Sequence, residues 1–229
     1  MTVARRLLLL ALLAVFPAQA ADRDALWRIV SRQCLPQAAE GRFTPPCLAV
    51  EEGAVLLKDR NGVAQLLALP RDQVSGVEAG RNQPGLWAAA WGWRGRMQGL
   101  LGRPITRDWM ALTVNSSLGR SQDQFHIHLD CLSRASHEGL AGLMGEGVVR
   151  LEGHDYHVWP MAEADLVRQD PVILASERLG LASDERTRLT VALAGALGDR
   201  LWLLAHLAEP ARLDFGHAEE IQDHDCQGP

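Results

Sequence analysis

The stretch FHIHLDC, residues 125–131, alternates apolar and polar side chains from end to end. A period of two is the signature of a β-strand, whose successive side chains point to opposite faces. Phe125, Ile127, Leu129 and Cys131 fall on one face, and His126, His128 and Asp130 on the other. The first set makes a core face. The second is polar, costly to bury unpaired, and suited to line a pocket. Three uses of the histidine pair compete: metal ligation, covalent chemistry on a substrate, or plain hydrogen bonding within a sheet.

The flanking sequence supplies the sheet. MALTVNSSLGRSQDQFHIHLDCL (110–132) reads as two apolar strands around the polar loop NSSLGRSQ, and a helix follows at 134–143. AVLLKDRNGVAQLLALP (54–70) reads as a hairpin with apolar runs on either side of an Asn-Gly turn at 61–62. VALAGALGDRLWLLAH (191–206) reads as another hairpin, with a Gly-Asp turn, that faintly echoes the first. DRDALWRIVSRQC (22–34) has helical spacing at Leu26, Ile29 and Val30, and the Pro-rich loop LPQAAEGRFTPP (35–46) follows. LWAAAWGWRGRMQGLLG (86–102) reads as a helix ended by Gly102-Arg103-Pro104. The pattern predicts an α+β domain over 21–229, with a largely antiparallel sheet flanked by helices.

The chain of 229 residues is 47% hydrophobic, enough for a sizeable core. Its net charge of -5 gives no electrostatic footprint for nucleic acid. Arg5 and Arg6 precede the apolar run LLLLALLAVF (7–16) and then PAQA. That order is a signal peptide with cleavage after Ala20, or alternatively an uncleaved anchor over 1–20. The apolar run is ten residues long, short of the roughly 20 that span a bilayer. Either reading exports the domain. Export makes the four cysteines a disulfide framework. A Cys34–Cys47 bridge closes the Pro-rich loop. That leaves Cys131 with Cys226, which would pin the tail beside the histidine strand. A cysteine zinc site lacks any C-x-x-C pair.

Several segments together resemble the CDP-diacylglycerol pyrophosphatase family of the histidine-triad superfamily, whose motif is His-φ-His-φ-His with φ apolar. They are NSSLGRSQDQFHIHLDC (115–131), AEEIQDHDC (218–226), CLP (34–36), PPC (45–47) and LLKDRNG (56–62). The resemblance runs from about residue 26 to the end. It implies a histidine-triad fold and hydrolysis of CDP-diacylglycerol to CMP and phosphatidate at the periplasmic face of the inner membrane. No metal or organic cofactor is implied. The family often dimerises, so a homodimer is one expectation, although an internal second half could replace a partner. Counting the motif from His126 makes His128 the middle histidine and nucleophile. Its ring would attack the α-phosphorus and form a nucleotidyl-histidine that water hydrolyses. In the family a backbone carbonyl holds the nucleophile's other ring nitrogen. His126 would orient the site or contact phosphate. The third position is then Asp130, where a carboxylate would repel phosphate unless protonated or turned away.

The resemblance implies that Asn115, Arg120, Ser121, Gln122 and Gln124 bind phosphate oxygens, with Arg120 offsetting charge on the leaving group. It places Asp59 at a ribose-binding position. Each has a plainer reading. Loop arginines are often solvated, and an Asp in a D-R-N-G turn has local hydrogen bonds to make. GHDYHVWP (153–160) offers His154, Asp155 and His157, which could complete a zinc site but read as surface or turn residues. His137, His206, His217 and His224 have no partner pattern. Trp87 and Trp91, with Trp93 beyond them, favour the core over a lipid-facing belt.

Overall fold

The computed structural model describes residues 22–81 and 83–228. The signal or anchor expected over 1–20 lies outside them. Mostly apolar runs, with the alternating histidine strand among them, build the centre of the sheet. They are β3 (Leu66–Pro70), β4 (Met110–Val114), β5 (Ile127–Leu132) and β8 (Leu189–Gly195), each buried throughout its length. A strand needs this composition when both of its faces are covered. β1 (Cys47–Glu51), β2 (Ala54–Lys58), β6 (Gly147–Leu151), β7 (His154–Ala162) and β9 (Arg200–Leu207) extend the sheet on either side. The order is β1-β2-β3-β5-β4-β8-β9-β7-β6, and the short β10 (Gln222–Asp223) pairs with β5. Every pairing is antiparallel. The expected α+β class holds.

The same plan occurs twice. A hairpin (β2–β3), helices and a hairpin (β4–β5) are followed by a hairpin (β6–β7), a helix and a hairpin (β8–β9). The two halves meet where β4 pairs with β8. The 191–206 hairpin therefore stands where β4–β5 stands, not where the first hairpin does.

One face of the sheet is covered by α3 (Pro84–Gly92), α4 (Arg94–Leu101) and α6 (Pro171–Arg178). Their Trp87, Trp91, Met97, Val172 and Ala175 pack with Leu112, Ile127, Leu129 and Leu193. Trp87, Trp91 and Trp93 are buried, as the core reading expects. The other face carries two separate apolar clusters. Val30 and Cys34 cover Val55, Leu57, Leu67 and Leu69 at one end. Leu140 of α5 (Arg134–Ala141) covers Tyr156, Val158, Ala192 and Leu204 at the other. Between them lies His128, which pairs with Leu67 on one side and Thr113 on the other. Directly paired residues share a face, so the histidine strand opens into the gap between the clusters.

Both expected disulfides form, Cys34–Cys47 and Cys131–Cys226, spanning 13 and 95 residues. In the chain-entropy treatment they contribute roughly 3 and 4.5 kcal/mol. The second fixes the tail. β3 pairs with β5 at Ile127–Leu129, and β10 takes over at Cys131 and Leu132.

Four local expectations change. The amino-terminal helix does not stop at 34. α1 (Ala25–Ile29) passes through a π turn (Val30–Cys34) into α2 (Leu35–Ala39). Pro36, which has no N–H to donate, lies in the first turn of α2 directly after the π turn. The helix at 86–102 is broken at Trp93. The first hairpin is joined by a loop over 59–65 and not by a two-residue turn, because that loop is docked on the tail. Val63 N donates to His224 O at 2.9 Å. Gly62, at φ +65°, lies so close that a Cβ would stand 3.0 Å from His224 O. Finally, His154 and His157 belong to strand β7 rather than to a turn.

Candidate active site

His126 and His128 enter the gap side by side, with ring centroids 4.7 Å apart and planes at 63°. They are 8% and 5% exposed. Burial first, and the neighbouring His128 second, lower the His126 ring from 6.5 to about 4. Burial, then His224, lower His128 to about 3. A buried imidazole loses solvation that only the cation needs. Both rings are therefore neutral at pH 7, with a lone pair available on one nitrogen each.

Their second nitrogens differ. His126 Nδ1 lies 2.6 Å from the backbone carbonyl of Gln124. A carbonyl only accepts, so Nδ1 carries the proton and the lone pair sits on Nε2. His128 Nδ1 lies 3.1 Å from Glu219 Oε2 and 3.2 Å from Gln65 Nε2, and its Nε2 is buried without a partner. The carbonyl clamp expected on the nucleophile is thus found on His126 and not on His128.

The tail completes the site. Glu219 Oε1 accepts from Asn115 Nδ2 at 2.6 Å, while Oε2 also accepts from Gln65 Nε2 at 3.3 Å. Gln222 Nε2 donates to Ala111 O at 3.0 Å, and its Oε1 accepts from Thr113 Oγ1 at 3.1 Å. His224 Nδ1 contacts Asp130 Oδ2 at 2.8 Å. Asp130 is fully buried, and its Oδ1 accepts from Cys131 N. Burial raises the Asp130 carboxyl, and the hydrogen bond to Asp130 raises His224. Asp130 is therefore turned into the tail and matched by an imidazole, which removes the clash with phosphate.

Of the expected phosphate ligands, Asn115 reaches the site and the others are engaged elsewhere. Arg120 is gripped by Glu78, with Nη1 and Nη2 at 2.6 and 2.5 Å from its two oxygens, and it also contacts Asp123 at 3.2 Å. This bidentate pair occupies the two terminal nitrogens of the guanidinium, while Nε is buried without a partner. Gln122 accepts from Leu26 N at 3.0 Å and donates to Asp22 O at 2.9 Å, tying the loop to the start of α1. Gln124 is buried, accepting from Val74 N at 3.1 Å and donating to Asp72 O at 2.8 Å. Ser121 is exposed at the loop tip. Asp59 Oδ1 accepts from Asn61 N at 3.0 Å, the local turn bond that its sequence allows. Its charge still raises the pKa of both His126 and His224, so it borders the site.

Glu219, Gln65, Gln222 and His224 escape the sequence reading. For the three tail residues the signal was the Cys131–Cys226 bridge, which brings the tail of nearby acids and amides to β5; Gln65, just before β3, had none. Among the described residues, neither His126 nor His128 belongs to a group of three or more side chains able to hold a metal.

The chain is 33% identical, over 96% of its length and 91% of the relative's, to a CDP-diacylglycerol pyrophosphatase of Yersinia pestis. Yeast Ap4A phosphorylase Apa2, in complex with Ap4A, superposes with a TM-score of 0.45 at 15% identity, covering 69% of this chain and 58% of that one. A second structure of the same phosphorylase gives 0.40 at 14% identity, over 69% of this chain and 59% of that one. The CDP-diacylglycerol pyrophosphatase family profile matches residues 21–228, and the chain belongs to that family.

Proposed function

We propose that this chain hydrolyses the phosphoanhydride of CDP-diacylglycerol, releasing CMP and phosphatidate, with His126 as the nucleophile. The observation that carries the reading is the Gln124 carbonyl at 2.6 Å from His126 Nδ1. It fixes the tautomer that leaves Nε2 free to attack phosphorus. In the first step Nε2 bonds to the α-phosphorus, the anhydride P–O bond breaks and phosphatidate leaves. In the second step water breaks the P–N bond and frees CMP and the imidazole.

This reading exchanges the roles that counting from His126 implies. With His126 in the middle, the triad becomes Gln124, His126 and His128, with apolar Phe125 and Ile127 between them. Asp130 then falls outside it, consistent with its burial against His224. His128 Nε2, buried and unpartnered beside His126, would contact a phosphate oxygen only as a donor, when the ring carries its proton there. Glu219 orients His128 through Nδ1 and holds Asn115.

The site is read as working at the periplasmic face of the inner membrane. The basic and apolar residues of 5–16 and the two disulfides support this. Among the described residues no helix is long and apolar enough to cross a membrane. A homodimer would use an edge other than β4, which is paired with β8 within the chain.

Intact mass after rapid quench with CDP-diacylglycerol tests the reading. The expected result is a CMP adduct on wild type and on His128→Ala, and none on His126→Ala. An adduct that survives in His126→Ala and vanishes in His128→Ala would return the nucleophile to His128. No hydrolysis of the lipid, with turnover of a soluble CDP ester, would overturn the substrate.

A further inference from the structure

At the far end of the same sheet face lies a second polar cluster, whose residues are not among those that act on the substrate in the reaction above. His206 of β9 pairs in register with Thr190, as His128 pairs with Thr113. His154 of β7 stands beside it, ring centroids 5.2 Å apart. Asp214 enters from the loop after β9. Its Oδ2 lies 2.6 Å from His206 Nε2 and 3.5 Å from His154 Nδ1. One donor atom from each of the three lies within 4.8 Å of the others.

We propose that His154, His206 and Asp214 bind a divalent transition-metal ion of the zinc type. Two imidazole nitrogens and one carboxylate oxygen are the donor types such an ion prefers, and three protein ligands leave a fourth position open. Each ligand also has the outer partner that metal ligands need. His206 Nδ1 faces Asp155 O at 3.0 Å, which puts the proton on Nδ1 and the lone pair on Nε2. That lone pair points at a carboxylate oxygen 2.6 Å away. Two acceptors so close repel unless a cation, either a proton or a metal, sits with them. His154 Nε2 faces Glu220 Oε2 at 3.5 Å, and Glu220 Oε1 accepts from Tyr156 O–H at 3.0 Å. Asp214 Oδ1 accepts from Gly216 N at 2.9 Å. The Asp214 and Glu220 charges together balance a divalent ion. The nearby cations are engaged otherwise, Arg150 with Asp155 at 2.9 Å and Arg212 with Glu209 at 3.1 Å. A cleft of about 430 Å³, lined by His154, His206 and Asp214, gives the ion an entry path and a water-filled fourth position.

The ion would also steady the active site. Gly216, held by Asp214, accepts from Ser116 N at 3.0 Å, next to Asn115. Glu220 is adjacent to Glu219 in sequence, so one short turn (Ala218–Ile221) serves both clusters. The three residues are therefore positioning residues for Asn115 and Glu219.

The test is titration of chelator-stripped, disulfide-intact protein with cobalt(II), read by the visible absorption of a four-coordinate site, with zinc as competitor. Wild type and His126→Ala should each bind one ion per chain. His154→Gln, whose side chain is 27% exposed and so tolerant of change, should bind at least about tenfold more weakly. Asp214→Asn, which keeps an acceptor for Gly216 N, should do the same. Circular dichroism checks that both variants are folded. Absence of a cobalt site in wild type, undiminished binding in both folded variants, or loss of binding in His126→Ala would each overturn the proposal.

Discussion

At about pH 5.5 the enzyme should still turn over CDP-diacylglycerol with nearly its neutral-pH efficiency. The reason lies in the burial of His126, which, with the His128 ring beside it, moves the imidazole from 6.5 to about 4. At about pH 5.5 an ordinary imidazole is roughly 9% neutral, whereas one at about 4 is roughly 97% neutral. The two cases differ about tenfold in kcat/KM, which reports groups on the free enzyme. Stability moves in the same direction. The folded value lies below the unfolded one, so the unfolded chain binds more protons between about 4 and 6.5. Stability is complete above that window and is lost as pH falls through it, by about 3 kcal/mol at the lower end. The assay is CMP release from mixed micelles across the acid range, with tryptophan fluorescence recorded in the same buffers. Fluorescence separates loss of the nucleophile from loss of the fold. A fall in kcat/KM centred at about 6.5, with the fold intact, would refute the argument that burial sets the working state of His126.

Arg120→Ala should cost stability, by about 3 kcal/mol, because it strands Glu78. The kcat of the folded enzyme should hold; a large fall in kcat with an unchanged denaturation midpoint would restore Arg120 to the phosphate. Breaking Cys131–Cys226 by Cys226→Ser should lower stability by about 4.5 kcal/mol, against about 3 for Cys47→Ser. Only the first should also reduce turnover, since it frees the tail that carries Glu219, Gln222 and His224. Gly119→Ala should lower the melting temperature, at a cost of about 1–3 kcal/mol. Its Cβ would stand 2.7 Å from Phe215 O and 2.9 Å from Gly216 O, both rigid backbone atoms. Calorimetry showing no change would mean that the loop before the histidine strand yields more easily than its packing suggests.

The sequence by itself determined whatever depends on local periodicity and on cysteine arithmetic. FHIHLDC alternates, so its face division follows from the pleat alone. Strands such as MALTV and LTVALAG are apolar at nearly every position because both faces are covered, and the run length marks them as strands. The disulfide pairing followed because four cysteines with one short-loop pair leave one remaining partnership. Short, half-exposed β1 lacked such a signal, and so did the π turn that carries the first helix past Cys34.

Tertiary structure decided which polar groups meet. The alternating pattern treats His126 and His128 alike; their surroundings differ, with the Gln124 carbonyl against His126 and the Glu219 carboxylate, from 91 residues away, against His128. Arg120 pairs with Glu78, 42 residues away, a partner that no local pattern marks. His154, His206 and Asp214 are scattered over 61 positions and come together only because β7 pairs with β9. Periodicity is set by each residue's own backbone, whereas hydrogen-bond partners and pKa values are set by long-range packing. A strand's pattern therefore records which face a side chain takes, and the fold alone decides what waits for it there.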